Sequence, residues 1–313
     1  MTNVTVFGAS GFIGRHLVQR LARNGMRVKA AVRRTQNGRF LVPMGDVGQV
    51  VPIGTDITDD ASVAMAIAGA DVVINLVGIL YESGGRGSFQ AVHVEGATRV
   101  AQAAKQAGVR HLVHISALGA DRNSPARYGR SKAAGEEAVR AAFPTATILR
   151  PSIVFGPEDD FFNRFAALAR LAPALPLFGG GATQYQPVYV GDVADAIMAC
   201  LTDPATAGKI YELGGPHRYS FTQLMMLMLA VTERQRALVK LPFCLAELIG
   251  AIAGLAPGRP VLTRDQAKML RIDNVPVPGM PGLAELGIAA TTCEVILPTY
   301  LERYRKVGQR PPA

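Results

Sequence analysis

Short apolar runs recur through the first half of the chain, at Val4–Phe7, Val28–Val32, Val50–Ile53, Val72–Val77, His111–Ile115 and Thr147–Arg150. Between them the apolar positions change to helical spacing over Gly11–Asn24, Ala61–Ala68, Phe89–Ala107 and Ser131–Ala142; in the first of these, Ile13, Leu17 and Leu21 share one face. Most of the runs are apolar without alternation, as strands buried on both faces require. Strand and helix in strict alternation predict an α/β fold, a doubly wound parallel sheet. After Pro151 the texture breaks up. Pro157, Pro173, Pro176, Gly179-Gly180-Gly181 and Pro187 punctuate short elements before a helical pattern at Val193–Leu201. From Gly214 the chain is helical and interrupted by prolines. The expected organisation is a Rossmann domain over 1–212, with 157–185 as an excursion, and a smaller, mainly helical C-terminal lobe over 213–313. The lobe closes on a helix near Cys293–Tyr304, and the polar tail Gln309–Ala313 is expected to fray.

Composition narrows the class. With 49% hydrophobic and 18% charged residues, the 313-residue chain is a packed globular protein able to bury a large core. The net charge of +9 admits three readings: nucleic acid, an anionic membrane or acidic partner, and a cofactor phosphate site on an ordinary basic surface. No run of five basic residues and no aromatic-rich basic stretch occurs, which argues against nucleic acid. Cys200, Cys244 and Cys293 lie far apart without metal-ligand spacing and read as buried thiols in a reducing compartment. The chain runs straight into its first strand, so no signal peptide is expected. Nor is a membrane span: the best candidate, Leu241–Ala256, contains Pro242 and Glu247.

The chemistry begins at Gly8-Ala9-Ser10-Gly11-Phe12-Ile13-Gly14, which joins the first strand to the first helix. A glycine turn opening on a helix N-terminus is an anion site. The first glycine permits the turn, the second admits a pyrophosphate, and the third packs helix on strand. At the end of the second strand, where a carboxylate would select the ribose hydroxyl of NAD, the chain has Arg33 and Arg34. Guanidinium groups there suit the extra phosphate of NADP(H); the alternative is two solvated arginines on a loop. Asp56, beside Ile57 after the third strand, either accepts from the adenine amine or caps the helix that starts near Asp60. Val77 and Gly78 offer a small-residue surface for the nicotinamide half. Tyr128 and Lys132 sit four apart on one helix face, so the ammonium is expected to lie beside the phenol and lower its pKa. His93, His111 and His114 lack metal spacing, Glu158-Asp159-Asp160 reads as a charged loop, and Met225, Met226 and Met228 as core filling.

The glycine turn, Asp56, Tyr128/Lys132 and Arg150-Pro151-Ser152-Ile153-Val154-Phe155-Gly156-Pro157 together resemble an extended or atypical short-chain dehydrogenase/reductase. Further segments are more specific. Tyr128-Gly129-Arg130-Ser131-Lys132-Ala133-Ala134-Gly135-Glu136, Phe155 to Asn163, Gln186 to Val193, Leu286-Gly287-Ile288 and Leu297 to Leu301 resemble the family of NADPH-binding accessory subunits of respiratory complex I and its bacterial relatives. The resemblance implies a Rossmann core holding NADPH as a structural cofactor. It implies complex I subunits near the membrane as partners, contact with the membrane surface, no nucleic acid, and a cytoplasmic location peripheral to the inner (plasma) membrane. The expected cofactor residues are Gly8, Ser10, Gly11, Phe12, Ile13, Gly14, Arg33, Arg34, Asp56, Ile57, Val77, Gly78, Tyr128, Lys132, Pro151 and Ile153. The catalytic candidates are Tyr128, Lys132 and Ser116. The usual catalytic Ser/Thr position falls on Ser116 or on Ala117, and in the second case the group that polarises a carbonyl is missing. An NADP(H)-dependent oxidoreductase or epimerase acting on a small quinone-related or sugar-nucleotide substrate is therefore the alternative function.

Overall fold

Strands β1 (Asn3–Phe7), β2 (Arg27–Val32), β3 (Val50–Gly54), β4 (Val72–Asn75), β5 (His111–Ile115) and β6 (Thr147–Pro151) form one parallel sheet with a seventh, Ile210–Leu213. The computed structural model describes residues 1–253 and 262–306. The strand order is Ile210–Leu213, β6, β5, β4, β1, β2, β3. Val4 of β1 lies level with Val28 on one side and Val72 on the other. The order reverses between β1 and β4, which opens a crevice at the carboxyl ends of the strands.

Helices cover both faces, which is why the strands read as unbroken apolar runs. On one face, α1 (Phe12–Arg23) packs on the Val190–Thr202 helix, and Arg20 pairs with Asp195 at 2.5 Å. On the other lie α2 (Asp60–Ile67), α3 (Ala97–Gln106) and α4 (Arg127–Ala142). Their Val63, Ile67, Val100, Ala104 and Val139 bury against Phe7, Val73, Leu112 and Ile148 of the sheet. The α/β doubly wound reading is borne out.

Several boundaries differ from the sequence reading. β4 stops two residues early, because the Asn75 side-chain carbonyl accepts the Val77 N–H at 3.1 Å and takes it out of the ladder. The span 89–107 is not uniform: Gln90–Gly96 is a π-helical turn ahead of α3. α4 begins at Arg127, four residues before the expected start, so Tyr128 is already helical. The seventh strand escapes hydrophobic patterning because its third residue is the buried Glu212.

The chain divides into two units. The first contains residues 1–151, 190–213 and 278–289, and the second 152–189, 214–277 and 290–313. Against the expected 213–313 block, residues 278–289 return to the first unit. There the Glu212 N–H donates to the Pro281 carbonyl at 2.8 Å. The second unit has its own core of Phe155, Phe162, Leu175, Phe221, Leu224, Met228, Leu297 and Leu301. Within it Tyr300 donates to the buried Asp159, which also accepts the Gly156 and Asn163 N–H groups at 3.1 Å. Asp159 is thus an anchor inside this core. Two expectations of burial fail. Met226 is 58% exposed, on the face of its helix opposite the buried Met225 and Met228, and Cys244 in a helix's first turn is exposed. The end of the Leu241–Ala256 stretch, from Gly254 onward, and the 309–313 tail lie outside the described residues.

Candidate nucleotide-binding site

The turn after β1 is closed by a hydrogen bond from Gly11 N–H to the Gly8 carbonyl at 2.9 Å. Gly8 has φ +78°, a left-handed conformation that glycine adopts without strain. A Cβ on Gly14 would sit 2.4 Å from the Gly8 carbonyl oxygen and 2.5 Å from that of Ala9, so only glycine lets α1 approach this closely. Gly11 is exposed, and a Cβ there would meet only the Gly8 carbonyl, at 3.1 Å. The first turn of α1 carries no acidic side chain and no side-chain cap at Gly11, so the helix itself supplies no acceptor for the N–H groups of that turn. Ser10, Phe12 and Ile13 complete this turn.

Arg33 and Arg34 are exposed directly past β2, with no carboxylate between Arg27 and Asp46. Sequence reasoning missed a third guanidinium. Arg15, on the first turn of α1, donates to the Ser10 carbonyl at 3.5 Å and lies over the Phe40 ring at 5.1 Å. Its signal was its place one residue past Gly14 in the motif.

Asp56 does not cap α2. Asp59 does, by accepting the Ser62 N–H at 2.7 Å. One Asp56 oxygen instead accepts both the Thr58 N–H and hydroxyl, and the other pairs with Arg86 at 3.2 Å. Those hydrogen bonds and Arg86 hold its carboxyl below the usual range. Ile57 is buried against the α2–α3 layer. Val77 and Gly78 follow β4 at the strand-order reversal, and Gly78 faces His93 and Lys132.

At the carboxyl end of β5 a dense polar cluster is buried. The Ile79 N–H donates to His93 Nε2 at 3.0 Å, so His93 Nδ1 carries the proton and donates to Ser131 Oγ at 2.8 Å. Ser131 Oγ in turn donates to the Tyr128 carbonyl. Both ring nitrogens are used by the neutral form, and burial, with Lys132 adding, pulls His93 down to about 3. Phe89 stacks on His93 at 5.1 Å, and both rings meet Tyr128 edge-on. His114 contacts Asn75 at 3.2 Å and is also held neutral, by burial first.

The expected lowering of the Tyr128 pKa is overturned. Burial pushes the phenol up to about 12, and the Lys132 ammonium is directed to the Ile115 carbonyl at 2.8 Å. Burial also lowers Lys132 to about 8, against the opposing charge of Glu136. Ser116 lies next to Ile115. It is 4% exposed, and among the described residues its hydroxyl has no hydrogen-bond partner. An orphaned buried hydroxyl, on the residue that follows the carbonyl holding the Lys132 ammonium, is able to hold a polar ligand atom. Pro151 ends β6 in the first unit, and Ile153 belongs to the second. Among the described residues no group of three or more His, Cys, Asp or Glu is arranged to hold a metal ion.

The profile of the NAD dependent epimerase/dehydratase family matches residues 4–214, from β1 to the end of the seventh strand. The chain belongs to that family. It is 38% identical to NADH dehydrogenase [ubiquinone] 1 alpha subcomplex subunit 9, mitochondrial, of Arabidopsis thaliana, over 97% of this chain and 78% of that protein. It is 33% identical to the ceramide reductase of Caulobacter vibrioides, over 76% of this chain and 73% of that one. The fold is that of the DesIV dTDP-glucose 4,6-dehydratase of Streptomyces venezuelae, a structure with NAD and TYD bound. The TM-score is 0.72 at 21% identity, with 97% and 96% of the chains covered. In this epimerase/dehydratase chain the family's nicotinamide nucleotide would meet the glycine turn of β1 and α1. The open face at Gly11, the uncapped helix N-terminus and the orphaned Ser116 hydroxyl fit such a ligand.

Proposed function

We propose that this protein is an NADP(H)-binding accessory or assembly subunit of respiratory complex I, with the nucleotide held mainly as a structural cofactor. One observation carries the reading: identity to a named complex I subunit extends over 97% of this chain, well past the family's residues 4–214. A protein that shared only a nucleotide-binding fold would lose identity beyond that segment. The partners are complex I subunits near the membrane, and the location is the cytoplasmic face, peripheral to the inner (plasma) membrane. Among the described residues no helix is long and apolar enough to cross a membrane, which suits a peripheral subunit.

Within this reading the N–H groups of α1 receive the pyrophosphate. Arg33 and Arg34, joined by Arg15, take the 2′-phosphate, and Val77 and Gly78 leave room for the nicotinamide half. Lys132 meets the nicotinamide ribose and Tyr128 lines its pocket. When bound, the nucleotide supplies hydride chemistry; the chain supplies position and charge. The test is purification from native membranes through a tag on this chain. Complex I subunits co-purifying with it, and NADPH released on denaturation, are expected. Recovery as a free protein with no complex I subunit would overturn the proposal.

A second reading, an NADP(H)-dependent reductase, has its own support in the orphaned hydroxyl of Ser116, the residue after the carbonyl that holds Lys132, and in the identity to a ceramide reductase. Tyr128→Phe separates the two, as argued below.

A further inference from the structure

The loop after β4 carries Val77 and Gly78, and side chains on both sides of Gly78 hold its backbone. Asn75 Oδ1 accepts the Val77 N–H at 3.1 Å, and His93 Nε2 accepts the Ile79 N–H at 3.0 Å. Asn75 belongs to β4 itself, whereas His93 comes from the π-helical turn Gln90–Gly96. Accepting at Nε2 leaves the proton of the neutral ring on Nδ1, which donates to Ser131 Oγ at 2.8 Å. Ser131 Oγ donates in turn to the Tyr128 carbonyl, also at 2.8 Å. The ring is fixed in that orientation by its neighbours: Phe89 stacks on it at 5.1 Å, and Tyr128 meets it edge-on at 5.6 Å. α4 comes this close because Gly135, one turn past Ser131, has no side chain; a Cβ there would overlap the His93 carbonyl oxygen. The π-helical turn, Gly135 and Ser131 thus deliver one imidazole nitrogen to the loop. The same loop passes the Lys132 ammonium. A Cβ on Gly78 would lie 3.7 Å from His93 Nε2 and 4.0 Å from Lys132 Nζ.

We infer that His93 is a positioning residue for the nicotinamide half of the nucleotide: through the Ile79 N–H it holds the Val77–Gly78 wall in place beside Lys132. This rests on the reading of Val77 and Gly78 as the surface that takes the nicotinamide half. A neutral imidazole has one acceptor and one donor nitrogen, and here both are committed to the protein. His93 therefore acts through the loop and not on a ligand. Gly78 is exposed, and a glycine loop without this anchor would have to be ordered when the nucleotide binds, at a cost in affinity.

Two ligands separate the halves of the site. NADPH fills both, while adenosine 2′,5′-bisphosphate carries the 2′-phosphate and no nicotinamide. Calorimetry on the full-length protein compares their affinities in wild type, His93→Asn and His93→Gln. The glutamine amide oxygen reaches the Nε2 position and accepts the Ile79 N–H. The shorter asparagine reaches only the Nδ1 position, so Ser131 keeps a donor while Ile79 loses its acceptor. His93→Asn should weaken NADPH about tenfold, the worth of one hydrogen bond, and leave the bisphosphate unchanged. His93→Gln should bind both nearly as the wild type does. Ser131→Ala tests the same link from the other end and leaves the imidazole in place. Long-range 1H–15N NMR of histidine-labelled protein should show His93 protonated at Nδ1 in the wild type and increasingly at Nε2 in Ser131→Ala, with NADPH affinity falling in step. The inference is overturned by a wild-type ring protonated at Nε2, or by a Ser131→Ala whose proton moves while NADPH binds unchanged. It is overturned equally by a folded His93→Asn that keeps the wild-type ratio of the two affinities or loses both ligands alike. A wild type that binds NADPH no tighter than the bisphosphate removes the nicotinamide-wall reading itself, and the inference with it.

Discussion

On the proposed reading Arg33 and Gly11 act through what they present to a nucleotide, whereas Gly14 acts through what it leaves out of the fold. A charged hydrogen bond to phosphate is worth about 1.5–3 kcal/mol. Arg33→Ala should therefore weaken NADPH binding about tenfold or more and leave NADH nearly unchanged; calorimetry giving equal affinities for the two nucleotides in the wild type would refute the 2′-phosphate assignment. Gly11→Val fills the open face of the turn, so it should abolish nucleotide binding while circular dichroism still reports the folded sheet. Gly14→Ala is the opposite case. Its methyl would stand 2.4 Å from a carbonyl oxygen, and such overpacking costs about 1–3 kcal/mol in urea unfolding. Tyr128→Phe keeps the ring and removes the hydroxyl. General acid–base work is worth ~10²–10⁴-fold in rate, so a substrate-dependent NADPH oxidation that collapses in this variant would establish the reductase. On the accessory-subunit reading, Tyr128→Phe leaves binding and assembly intact and Lys132→Ala weakens both.

Among elements, the π-helical turn carries a consequence for pH. His93 is held neutral in the fold and regains its ordinary value near 6.5 on unfolding, so between 6.5 and about 3 the unfolded chain binds the extra proton. Stability therefore falls as pH drops below 6.5, with a slope approaching about 1.4 kcal/mol per pH unit for this one group. His114, shifted in the same direction, adds to it. His93→Gln, measured by urea unfolding between pH 4 and 7, should show a shallower fall; an identical slope would mean that His93 is already charged in the folded state. The strands and helices of the first unit were legible because burial on both faces imposes apolar runs and one-sided helices. Their ends were less so. β4 stops where a side chain, Asn75, takes a backbone donor, and α4 starts inside a polar stretch that hydrophobic spacing cannot delimit.

For the whole molecule, a ligand that binds only the folded first unit raises its stability by mass action, about 2.7 kcal/mol at one hundred times Kd. NADPH should raise the first thermal transition more than NADH at equal concentration, and an unchanged transition would argue against a structural nucleotide. The sequence by itself determined the parallel sheet, the glycine turn and the absence of a carboxylate after the second strand, because each depends on residues adjacent in the chain or on a strict repeat. Which side chains meet was decided only by the tertiary structure. Lys132 and Tyr128 share a helix face as their spacing demands, yet the ammonium turns to the Ile115 carbonyl and the phenol is raised. Glu212 reaches Arg150 from 62 residues away. His93, read from the sequence only as lacking metal-ligand spacing, joins β4's loop to α4 through two hydrogen bonds. Pattern records which face of an element is dry; burial, tautomer and charge balance are set by what the other elements bring to that face.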